Sequence, residues 1–134
     1  MRQIRLRTER RSHVVDITRE VRDAIEGELG SAVLVFVPHT TAGVTINEHA
    51  DPAVARDLEA ALERMVDDGW PWEHHEPDKG EENAPTHVRA ALIGPSVLIP
   101  LREDGSLALG TWQGIFFCEF DGPRERTVYV SVLA

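Results

Sequence analysis

The chain has 134 residues, 42% of them hydrophobic, with a net charge of -9 from 14 basic and 23 acidic side chains. That length suits one domain spanning 1–134 with a core of its own, and the acid excess argues against nucleic acid or an anionic membrane as a partner. One cysteine, Cys118, excludes an internal disulfide and any site built on several thiolates.

In chain order, residues 3–8 alternate in polarity and read as a half-exposed strand, with 12–17 as its hairpin partner. A first helix is expected from Thr18 as N-cap, with Val21, Ile25 and Leu29 on one face and Gly30 as its stop. Residues 32–37 form a continuous apolar run, the pattern of a strand buried on both faces. After Pro38, the polar turn His39-Thr40-Thr41-Ala42-Gly43 leads into the alternating strand Val44 to Glu48. Asp51-Pro52 opens a second helix striped by Val54, Leu58, Leu62, Met65 and Val66 and ended by Gly69.

Residues 70–83 read as a long polar loop carrying Trp70, Trp72, two histidines and many acids. A short third helix follows Pro85 and stops at Gly94; from Ser96 onward antiparallel strand is expected, turning at Asp104-Gly105 and at Asp121-Gly122-Pro123. The fold class is α+β: a mostly antiparallel sheet with two to three helices. No apolar stretch approaches the ~20 residues of a membrane span, and the alternating opening Met1 to Arg7 is no signal peptide. The cytoplasm is the expected location.

His39, His74, His75 and His87 all fall in loops or at element ends, where binding groups collect. Imidazoles from separate segments can meet around a divalent ion with a position left for water. Their spacing matches no recognised metal motif, and scattered surface histidines is the plainer reading of it; His13 and His49 are read as ordinary surface residues. Glu48 suits a general base or ligand, and equally a partner for the following helix dipole; Asn47 points to the opposite face. Gly110-Thr111-Trp112-Gln113-Gly114 reads as a pocket wall or as a bent strand with a core Trp. Arg124 and Arg126 suit an anion such as phosphate, or an internal salt bridge. Of the central-loop acids Asp67, Asp68, Glu73, Glu76, Asp78, Glu81 and Glu82, one or two could join a cation. No phosphate-cradling glycine loop and no nucleophile elbow is present.

The blocks His39 to Glu48 with Asp51-Pro52, Trp72-Glu73-His74, Asn83-Ala84-Pro85-Thr86-His87-Val88, Ser96 to Pro100, and Gly110 to Ile115 resemble, in order, the signature blocks of the YjbQ-like family. The resemblance implies a compact α+β subunit of a homotrimer and an activity described as secondary thiamine-phosphate synthesis. It implies His39, His74 and His87 as ligands of a divalent metal, Zn or Mg, or of an anion, with His75 as an alternate to His74. Glu48, His39 and Gln113 would then be the catalytic groups. Thr40, Asn47, Asn83, Thr111, Trp112 and Arg124 would bind a small phosphorylated or anionic metabolite. A pyrophosphate leaving group needs cationic clamps; the chain supplies a metal-capable pocket and Arg124 or Arg126, but no lysine in any of these blocks. Thiamine-phosphate synthesis is therefore expected as side chemistry. The alternative is a trimeric binding module without turnover.

Overall fold

The computed structural model describes residues 1–76 and 82–134; Asp78 and Glu81 lie outside the described residues. Among the described residues, seven strands and three helices follow in the order β1 (Arg2–Arg7), β2 (His13–Asp16), α1 (Thr18–Ala24), β3 (Ala32–Phe36), β4 (Ala42–Glu48), α2 (Pro52–Met65), α3 (Ala84–Ile93), β5 (Ser96–Pro100), β6 (Gln113–Glu119) and β7 (Glu125–Leu133). Two sheets form, β1-β7-β3-β5 and β2-β6-β4, and every pairing is antiparallel. The α+β class expected from the sequence is the class observed.

The layers follow from side-chain alternation. Ile4, Val33, Val35, Val128 and Val130 of the larger sheet meet Val44, Ile115 and Phe117 of the smaller one, with Val21 of α1 and Ile25, just past its end, closing one side. The other face of the smaller sheet, with Val14, Phe116 and Cys118, packs on Leu62 of α2 and Ala90 of α3. Strand β6 is therefore buried on both faces. The sequence pattern assigned that role to 32–37, yet β3 buries only Val33 and Val35, and Phe36 is exposed. Burial pushes the Cys118 thiol up to about 12, so it is inert.

Three further elements differ from expectation. Helix α1 stops at Ala24, and Leu29 is exposed. Thr18 is the first helical residue and not the cap: its hydroxyl donates to Asp16 at 2.6 Å and accepts from the amide of Ile115 at 2.8 Å. Met65 stands in solvent rather than on the buried stripe of α2. Residues 101–112 are not strand; one Leu101–Leu107 bridge closes a turn with Gly105 at φ 85°.

Candidate metal and anion site

β3 ends at Phe36, and Pro38, His39 and Thr40 lie in the connection that leads to β4. Asn83 and His87, four apart, share one side of the first turn of α3. Asp121, Arg124 and Arg126 come from the β6–β7 connection and the start of β7. Together with Glu76 these residues line a polar hollow of about 290 Å³.

His74 arrives on the extended segment that follows α2, and its ring meets that of His87 edge to face, centroids 4.8 Å apart. One ligand atom each from His74, Glu76 and His87 lie within 4.8 Å of one another. Nε2 of His87 and Oδ1 of Asn83 are both buried and have no hydrogen-bond partner among the described residues. The Asn83 amide donates to Glu76 and to Asp121, each at 3.1 Å, which fixes the carboxylates around it.

His39 borders the hollow but is not in the ligand group. Its Nε2 accepts the amide proton of Thr127 at 3.0 Å, so the neutral ring carries its own proton on Nδ1. Burial and then the nearby charge of Arg126 hold the His39 pKa below the usual histidine value. His75 turns away and pairs with Glu82 at 2.8 Å. The structure thus brings His74, not His75, against His87, with Glu76 beside them and His39 at the edge of the same hollow.

Below the hollow lies a buried ion pair. Arg126 donates from Nε to Glu119 at 2.8 Å and from Nη2 both to the second Glu119 oxygen and to the Thr41 hydroxyl at 2.8 Å. Burial alone would raise the Glu119 carboxyl, but hydrogen bonds from Arg126 and Thr8, with the Arg126 charge, hold it below the usual carboxylate range. Arg126 is committed to Glu119, so Arg124 is the more available cation at the rim. Its Nε and Nη2 are steadied by Asp121 at 2.6 and 2.8 Å.

The remaining predicted site residues sit elsewhere in this chain. Glu48 ends β4 opposite Gln113, six steps from Ala42, or about 20 Å along the strand. The Glu48 carboxylate accepts the Asp51 amide at 2.9 Å, its helix-partner role. Asn47 accepts the Glu48 amide at 2.7 Å, and Gln113 accepts that of Gly110 at 2.8 Å. Thr111 and Trp112 are exposed beside them. Within one chain, Glu48 and Gln113 therefore do not face the histidines. The same end holds a pair that sequence reasoning passed over: His49 donates from Nδ1 to Asp16 at 2.9 Å and packs over Gly114, where an added Cβ would stand 2.3 Å from that nitrogen. Glu76 was also under-weighted; its i,i+2 spacing from His74 puts both on one side of an extended segment, and that was the available signal.

Two antiparallel sheets stacked on a helical layer, with a histidine-bearing hollow where β4, α3 and the β6–β7 turn converge, define the class of α+β protein to which this chain conforms. It belongs to the family described as UPF0047 protein YjbQ-like, which matches residues 2–134. It is 43% identical to the UPF0047 protein YugU of Bacillus subtilis over 99% of this chain and 98% of that one. It is 42% identical to a UPF0047 protein of Methanocaldococcus jannaschii, over 96% of this chain and 90% of that protein. Among solved structures it resembles a YjbQ/UPF0047 protein of Clostridium acetobutylicum with TM-score 0.90 and 41% identity, covering 99% of this chain and 100% of that one. A conserved hypothetical protein of Thermus thermophilus gives TM-score 0.87 and 38% identity, covering 99% and 100%. Among the described residues no helix is long and apolar enough to cross a membrane.

Proposed function

We propose that this chain is a metal-dependent protein acting on a small phosphorylated or otherwise anionic metabolite, with His74, Glu76 and His87 as the metal ligands. The observation that carries the reading is their convergence within 4.8 Å, with Nε2 of His87 buried and unpartnered among the described residues. Two imidazoles and one carboxylate suit zinc better than magnesium, which prefers oxygen and water. Three protein ligands leave a fourth position open, and a metal there would act as a Lewis acid on a bound oxyanion. Arg124, at the rim of the same hollow, supplies a cation for that group, and the Asn83 amide holds the Glu76 carboxylate in place. Secondary thiamine-phosphate synthesis is one reaction of this class, with pyrophosphate as the anionic leaving group.

A second reading, capture of the same ligand without turnover, is favoured by one feature. Glu48, the expected base, lies at the far end of β4 within a chain, and Nε2 of His39 is engaged by Thr127. A homotrimer that brings the Glu48 end of one copy to the hollow of another would restore catalysis to the site.

Elemental analysis of protein purified without chelator, alone and as His87→Ala, tests the metal. About one zinc per chain in the parent and none in the variant is the expected result; equal content in both removes the proposal. Thiamine-phosphate formation and small-molecule turnover, assayed on the zinc-loaded parent, separate catalysis from capture.

A further inference from the structure

We propose that the hollow walled by Trp70 and Trp72 is a ring subsite: it takes the neutral planar part of a metabolite whose anionic group lies in the polar hollow next door. This rests on the reading of the polar hollow given above, and adds the chemical class of the ligand's other half.

The two hollows adjoin at one residue. His87 lines both, and His74, its partner in the candidate metal group, lines the aromatic one. The aromatic hollow has a volume of about 540 Å³, within the range of small-molecule sites. Its walls offer ring faces and aliphatic carbon from Trp70, Trp72, Ala84 and Val88. The indole rings stand 6.4 Å apart, tilted by 48°, like a partly opened book.

That corner is held before any ligand arrives. The Trp72 indole N–H donates to the Asp67 carbonyl at 3.1 Å, and the Trp72 amide donates to the Trp70 carbonyl at 2.8 Å. A fixed indole loses little entropy on stacking. Trp70 nevertheless remains 65% exposed, with its apolar surface in water. A planar ring laid in the corner would cover it in the offset or tilted arrangement that aromatic pairs prefer.

The neighbouring charges choose the occupant. An organic cation would be repelled by a divalent ion at His74, Glu76 and His87, which opposes its attraction to the one carboxylate of this hollow's wall, Glu73. An anionic group would face the Glu73 carboxylate in the same wall, and the Trp72 indole N–H is already given to the Asp67 carbonyl. A neutral ring avoids both costs and directs its anionic substituent past His87 toward Arg124.

The test is calorimetric titration of the intact zinc-loaded protein with phenylphosphonate and with methylphosphonate, paired with sizing by light scattering. Phenylphosphonate should bind at least about tenfold more tightly. Trp70→Ala should bring the two affinities together while zinc content and methylphosphonate affinity stay unchanged, and Trp70→Phe should restore most of the difference. Equal affinities in the parent with zinc retained, or an unaltered preference in Trp70→Ala, overturn the ring subsite and leave the metal reading standing. Failure to retain zinc or to bind either phosphonate overturns both. A change of oligomeric size in Trp70→Ala shows that a second copy fills the corner, and likewise overturns the subsite.

Discussion

The ring of His74 meets the ring of His87 edge to face at 4.8 Å, although the two stand thirteen positions apart in the sequence, on either side of the start of α3. Two imidazoles held this close, beside a carboxylate, can offer their nitrogen lone pairs to one shared cation.

Zinc affinity should therefore sort the site's residues into ligands and neighbours. His74→Ala and Glu76→Gln are expected to weaken binding by at least about 100-fold, since even outer-shell partners cost 10–100-fold. His39→Ala should stay within a few-fold of the parent, because Nε2 of His39 serves the Thr127 amide. Competition against a chromogenic chelator measures all three; loss of zinc in His39→Ala would restore the ligand set expected from family resemblance.

The pH dependence of stability has a defined sign. The His39 pKa is lowered in the folded chain, by burial and then by Arg126, so between that lowered value and about 6.5 the unfolded chain binds more protons than the folded one. Stability must fall as pH drops through that window. His13, lowered by burial and then by Arg10, acts in the same direction. Urea melts between pH 7.5 and 5 should show a decline that flattens in His39→Gln and flattens further in His13→Gln/His39→Gln. The depressed carboxyls Asp16, Asp68 and Glu119 contribute at more acid pH, below their unfolded values near 4.

Arg126→Met should cost about 3–5 kcal/mol, because it leaves the fully buried Glu119 carboxylate uncompensated. Adding Glu119→Gln should recover much of the loss. Chemical denaturation of the single and double variants checks this; no recovery would mean that the pair is held for its hydrogen bonds to Thr8 and Thr41 rather than for its charge balance.

Gly114→Ala should cost about 1–3 kcal/mol through overpacking against the His49 ring. The same substitution in a His49→Ala background should cost much less. A double-mutant cycle by thermal or urea unfolding reads the coupling directly.

The layered α+β arrangement was legible because alternation and helix punctuation act locally: Asp51 caps α2 by accepting the Ala53 amide at 2.9 Å, as its Asp-Pro signature implied. What stayed hidden depended on which sheet covered which face. Residues 32–37 read as doubly buried because Leu34 and Phe36 are apolar, yet among the described residues that side of β3 is only partly covered, with Leu34 half-buried and Phe36 exposed. The third helix and its His87 were found from Pro85 and Gly94, and the choice between His74 and His75 followed only once the segment after α2 was placed against α3. Only the family resemblance joined Glu48 to the histidines; within one chain the extended β4 sets it a full strand length from the turn that carries His39. His49 seemed an unremarkable surface residue because its partners, Asp16 and Gly114, are remote in sequence.

The Thr127 amide donates to a side chain rather than to a neighbouring strand, and that side chain stands at the mouth of the polar hollow. Its deuterium uptake is thus a built-in spy on occupancy. A molecule that pins the imidazole should slow exchange at this one position of β7 while the strand pairs on either side keep their own clocks.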